Sequence, residues 1–188
     1  MINAFKYNWV WVLFASLIIL FSLTVFSNWV LLGCIWFGIF FTFRFSKLEN
    51  RLSSSEHKLY LTTAFVLPII ETWLTWMIQK DIIPYSWFWL NRLEHFFSAI
   101  SVTIILLPAY ITIWHKLKWW QNLVFILGLI CLIGNLNEFF EFFLRVCCKP
   151  VKYSRFGVYY PNTIYDMGVN LIGGLVGFLL VKLNIKSL

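Results

Sequence analysis

The chain has 188 residues, of which 61% are hydrophobic, 21% aromatic and 12% charged, with a mean hydropathy of +0.79. A soluble domain carries about 45–50% apolar and about 25% charged residues, so this composition excludes a water-soluble globule, a disordered chain and a disulfide scaffold. The formal net charge of +7 reads as topology signals and lipid headgroup contacts, and no nucleic-acid-binding motif accompanies it.

Six apolar segments follow one another: Trp9–Phe26, Trp29–Phe45, Leu59–Ile78, Arg92–Ile113, Asn122–Leu144 and Ile164–Leu183. Each has a length that spans a bilayer, for which about 17–25 residues are needed. The expected fold class is therefore an all-α polytopic bundle of six spans, a single transmembrane domain over residues 1–188. The first two segments, split by Ser27-Asn28, are expected to form a tight helical hairpin, because one helix over both would be roughly 55 Å long. The first apolar stretch is longer than a signal-peptide core and is expected to be a span.

Pro68 and Pro108 fall inside the third and fourth spans and predict kinks. Between those spans, Ile82–Leu90 holds Pro84, Tyr85, Trp87 and Trp89 and reads as an interfacial aromatic stretch. The loop Arg145–Asn162, with Lys149, Lys152, Tyr153, Arg155, Phe156, Tyr159 and Tyr160, has the composition of an interfacial lid or of ordinary headgroup contact. Cys34 and Cys131 sit in apolar runs as packing residues, and Cys147-Cys148 are adjacent, a geometry that rarely bridges.

With six spans both termini share a side. That side receives nine of the Lys and Arg residues and the other side six, so by the positive-inside rule the termini are expected in the cytoplasm.

Five of the eight acids lie within the spans: Glu71, Glu94, Glu138, Glu141 and Asp166. A mid-membrane charge costs roughly 2.5–3.5 kcal/mol, so this excess demands a reason. All five fall toward the same end of the bundle, the end opposite the termini. Helical spacing aligns them further. Asn91, Glu94, His95, Ser98 and Ser101 form one stripe, and Asn135, Glu138, Glu141 and Arg145 a second. In the last span Thr163, Asp166 and Asn170 run into Gly173, Gly174 and Gly177, where Gly173-x-x-x-Gly177 is a small-residue packing pattern. These stripes predict a buried polar cluster rather than a lipid-facing edge.

Three motifs resemble those of the YjdF-type branch of the VanZ-like bacterial membrane proteins. They are Asn91-Arg92-Leu93-Glu94-His95-Phe96, Asn137-Glu138-Phe139-Phe140-Glu141, and Asn162-Thr163-Ile164-Tyr165-Asp166-Met167 followed by Leu171-Ile172-Gly173-Gly174. Order and spacing agree over about half the chain, from Asn91 to Leu180. The resemblance implies a bacterial plasma membrane and a cell-envelope setting. Asn91 and Asn162 depart from it, standing where that family has aspartate.

The residues support several functions. His95, Glu138, Glu141 and Asp166 are candidate ligands of a divalent metal, with Glu94 alongside. The same His95, Glu94, Glu138, Glu141 and Asp166 are candidate acid–base groups for lipid chemistry, with Arg92, Arg145, Asn162 and Asn170 as candidate substrate-binding residues. Membrane lipids are the expected partners. A small ion- or proton-coupled transporter, a homodimer, and a structural subunit whose charges pair with Arg92 and Arg145 remain alternatives.

Overall fold

In hydrocarbon no water competes for backbone amides, so apolar runs of this length satisfy every N–H and C=O within the segment by coiling into helices. The computed structural model describes residues 27–84, 88–148 and 156–185. Among them every regular element is helical: α1 (Ser27–Phe45), a 3-10 turn (Leu48–Arg51), α2 (Ser54–Gln79), α3 (Phe88–Ile105), α4 (Leu107–Trp114), α5 (Trp119–Cys148) and α6 (Phe156–Asn184). The fold class is all-α, as the composition demands.

Trp119–Phe140 in α5 and Pro161–Asn184 in α6 are each long and apolar enough to cross a membrane. The α3–α4 pair makes a third such stretch if counted as one span. The segment expected at Trp9–Phe26 lies outside the described residues. The second and third segments are helical as α1 and α2, and Pro68 is carried inside α2.

The fourth expected span is not one straight helix. It breaks at Leu106, and its halves, Trp89–Ile105 and Leu107–Trp114, meet at 64°. Pro108, in the first turn of α4, explains the break. It has no N–H to give to the Ile104 carbonyl, and its ring crowds that carbonyl. The buried Tyr110 hydroxyl instead donates to the Thr103 carbonyl at 2.7 Å and satisfies the backbone where the helix turns. Trp114 closes α4, and its carbonyl accepts from the buried Asn122 side chain of α5 at 2.9 Å.

Of the stretch expected to be interfacial, Phe88, Trp89 and Leu90 belong to α3. Residues 85–87 lie outside the described residues. The expected lid is also largely helix. α5 runs to Cys148 and α6 starts at Phe156, with residues 149–155 outside the described residues. The helix continues through Pro161, which membrane helices tolerate when neighbours resatisfy the freed carbonyl.

Packing centres on α6. Its most extensive neighbour is α3, followed by α5. A methyl group added at Gly173 would stand 2.5 Å from the Phe96 carbonyl oxygen, and one at Gly177 2.8 Å from Thr103 Cβ, both on α3. Gly174 faces Ile130 of α5 instead. The glycines thus let α6 lie against two helices at once, by the close backbone approach that drives association where lipid removes the hydrophobic effect. A core of Ile104, Leu107, Ile111, Trp114, Ile126 and Phe178 fills the space beyond. A second core joins Phe37, Phe40 and Tyr60 of α1 and α2, with the Phe40 and Tyr60 rings stacked 5.8 Å apart.

Helix ends are capped at the side of α2 that meets the end of α6. Ser53 and Glu56 form a capping box, in which the Ser53 N–H donates to the Glu56 carboxylate at 2.6 Å. The Ser55 hydroxyl donates to the Asn184 carbonyl at 3.1 Å, tying the start of α2 to the end of α6.

Candidate functional site

The polar stripes of α3, α5 and α6 meet. His95 of α3 points its Nε2 between two carboxylates, 3.8 Å from Glu138 Oε1 of α5 and 3.7 Å from Asp166 Oδ2 of α6. One ligand-type atom from each of the three residues lies within 4.8 Å of the others. The Asp166 side chain is 2% exposed, and those of His95 and Glu138 are 11% exposed each. The centre sits about 10 Å or less inside one end of the apolar stretches of α5 and α6.

Neutral donors hold the carboxylates in place. The Asn162 amide, one turn before Asp166, donates to Asp166 Oδ2 at 2.6 Å, and the Asn91 amide of α3 donates to the same oxygen at 3.1 Å. The Thr163 hydroxyl donates to Glu138 Oε2 at 3.0 Å, which turns Oε1 toward the imidazole. Such donors behind carboxylates orient the ligands of metal sites.

The distances restrict the chemistry. Gaps of 3.7 and 3.8 Å from Nε2 to the carboxylates exceed the 2.7–3.2 Å of an N–H···O bond. An ion equidistant from three atoms so spaced would sit roughly 2.5 Å from each, a few tenths of an ångström beyond the about 2.0–2.2 Å of first-row metal contacts, so the side chains would draw in slightly to hold one. One imidazole and two carboxylates suit a divalent first-row metal, and three protein ligands leave positions open for water or substrate.

The remaining expected site residues take other places. Glu94 is the electrostatic neighbour of Glu71, which is buried on α2. Asn162 donates its amide to Asp166. Asn170 is buried one turn deeper, and a methyl group added at Gly134 of α5 would meet its amide nitrogen at 2.8 Å, so it fills the α5–α6 contact. Arg92 does not neutralise an acid among the described residues. Its guanidinium lies over the Tyr165 ring, 4.6 Å from the centroid. Glu141 and Arg145 continue α5 beyond Glu138, and their side chains lie outside the described residues.

Two contributions were not readable in advance. The Thr163 contact to Glu138 and the Arg92–Tyr165 pair both cross between helices, and no spacing along one helix signals them. Asn91 and Asn162 both donate hydrogen bonds to Asp166.

The model of the family described as "Predicted membrane protein (DUF2238)" matches residues 6–186, and the chain belongs to that family. No curated protein and no solved structure matches the chain.

Proposed function

We propose that this DUF2238 membrane protein holds a divalent metal ion among His95, Glu138 and Asp166 and uses it on the headgroup of a cell-envelope lipid. The observation that carries the reading is the convergence of those three side chains from three helices on one buried centre. Asn91, Asn162 and Thr163 support it by fixing the carboxylate oxygens. The metal would supply Lewis-acid polarisation of a phosphoryl oxygen or an activated water. The protein would supply three preset ligands, little exposed and near one end of the apolar stretches of α5 and α6. The similarity of the Asn91–Phe96, Asn137–Glu141 and Asn162–Met167 motifs to VanZ-like proteins favours the envelope setting. In this reading the centre opens to the extracytoplasmic face and the termini are cytoplasmic.

A second reading has its own support. Amide and hydroxyl donors are also what buried carboxylates need when no metal is present, so His95 could tie α3 to α5 and α6 as a structural charge cluster. Metal analysis by mass spectrometry decides between the two. About one equivalent of a divalent metal in the purified protein, absent from Asp166→Asn and Glu138→Gln, supports the metal centre. Asparagine in place of Asp166 keeps an oxygen for the Asn91 and Asn162 amides, so the fold should survive. A metal-free protein that gains no thermal stability from added Mn or Zn would sink the metal reading and leave the structural one.

A further inference from the structure

Arg92 is set apart from the centre and yet built onto it. It neighbours Asn91, whose amide holds Asp166, and its guanidinium rests on Tyr165, the residue before Asp166. Tyr165 is 57% exposed, so the pair lies at the outer edge of the α3–α6 seam beside the buried centre. The Arg92 Nε is itself buried and has no hydrogen-bond partner among the described residues.

A guanidinium donates in its own plane, and a ring beneath it takes up none of those in-plane donors. A buried N–H without an acceptor is costly, and within this seam it marks a position where an acceptor belongs. The edge that carries Nε and one Nη matches two oxygens of an oxyanion, and phosphate is the oxyanion of the headgroup layer. We infer that Arg92, held flat by Tyr165, is the clamp for a phosphate group presented at the edge of the His95–Glu138–Asp166 centre. The inference rests on the function proposed above for where that phosphate is used, and narrows the substrate class to phosphate-bearing headgroups.

The test is binding of phosphatidic acid to the full chain in detergent, beside diacylglycerol with the same acyl chains and beside inorganic phosphate. Phosphatidic acid should bind at least about tenfold more tightly than diacylglycerol, as a bidentate charged contact implies. Arg92→Gln should abolish that preference, and Arg92→Lys should keep part of it, since a point charge replaces the fork. Tyr165→Leu, at an exposed position, should weaken the preference with the fold intact, and it decides the matter if Arg92→Gln fails to fold. Competition by inorganic phosphate at equal strength would assign the same clamp to free phosphate. Equal binding of phosphatidic acid and diacylglycerol, or Arg92→Gln and Tyr165→Leu both indistinguishable from wild type, overturns the inference. Metal content is read on the same samples. Arg92-dependent binding without metal fails only the metal reading, and a stoichiometric metal with Arg92-independent binding fails only the clamp.

Discussion

The Asn162 side-chain amide donates to Asp166 Oδ2 at 2.6 Å across one turn of α6, on the same oxygen that faces His95 Nε2 at 3.7 Å. A neutral donor therefore shares its acceptor with the centre.

Asn162→Asp would set two carboxylates against each other at that distance in a buried site. Without a cation the expected result is loss of stability, by about 1–3 kcal/mol from the forfeited hydrogen bond alone. Added divalent metal should restore more stability to this variant than to the wild type, since the substitution adds an anionic oxygen. Thermal unfolding in detergent with and without Mn or Zn checks both halves.

Gly173→Ala is expected to be among the costliest single-methyl changes in the chain. The new carbon would stand 2.5 Å from the Phe96 carbonyl and 2.9 Å from Ala99 Cβ, and a backbone carbonyl does not swing aside. Separation of α3 from α6 should cost about 1–3 kcal/mol and disturb the centre, because His95 and Asp166 lie on those two helices. Gly128→Ala, with nothing within 4 Å of the new methyl, is the matched control and should be near neutral. Unfolding midpoints of the two variants make the comparison.

Asn122→Ala should destabilise by about 1–3 kcal/mol, since it strands the Trp114 carbonyl at the buried junction of α4 and α5. Asn122→Asp keeps the shape but replaces the donating amide with a carboxylate and should fare no better. Denaturation with stable tertiary fluorescence readouts distinguishes these from surface variants.

Tyr110→Phe should cost about 0.6 kcal/mol, the average for hydrogen bonds between membrane helices, and at most roughly three times that. Its hydroxyl satisfies the Thr103 carbonyl at the bend, so the effect should appear as faster hydrogen exchange at the α3–α4 junction before any global loss of stability.

Much of the architecture was legible in order of residues alone. Uninterrupted apolar runs impose helices in a membrane, and the 3.6-residue repeat placed His95 with Asn91, and Glu138 and Asp166 each on a polar stripe. The Gly173–Gly177 pair marked the packed face of the last helix, and both glycines do abut α3. Pro108 predicted a kink, and the chain bends there by 64°, the missing N–H being compounded by the Tyr110 hydroxyl capturing Thr103. One local reading fell short: part of the loop expected over Arg145–Asn162 is the ends of α5 and α6, since aromatic and basic residues near a membrane surface are as compatible with helix as with loop.

By itself the sequence determined that this protein is an α-helical membrane protein with the acids of its apolar segments gathered toward one end, since hydropathy and helical periodicity are local properties. Which of those groups meet was decided by the tertiary structure. A stripe specifies a direction from its own helix axis and says nothing of the rotation or depth of the helix opposite. Those are set where Gly173 and Gly177 bring α6 onto Phe96 and Thr103, and Gly174 onto Ile130. That register brings Asp166 to His95 and Glu138, sets Asn170 against Gly134, and lays Arg92 over Tyr165.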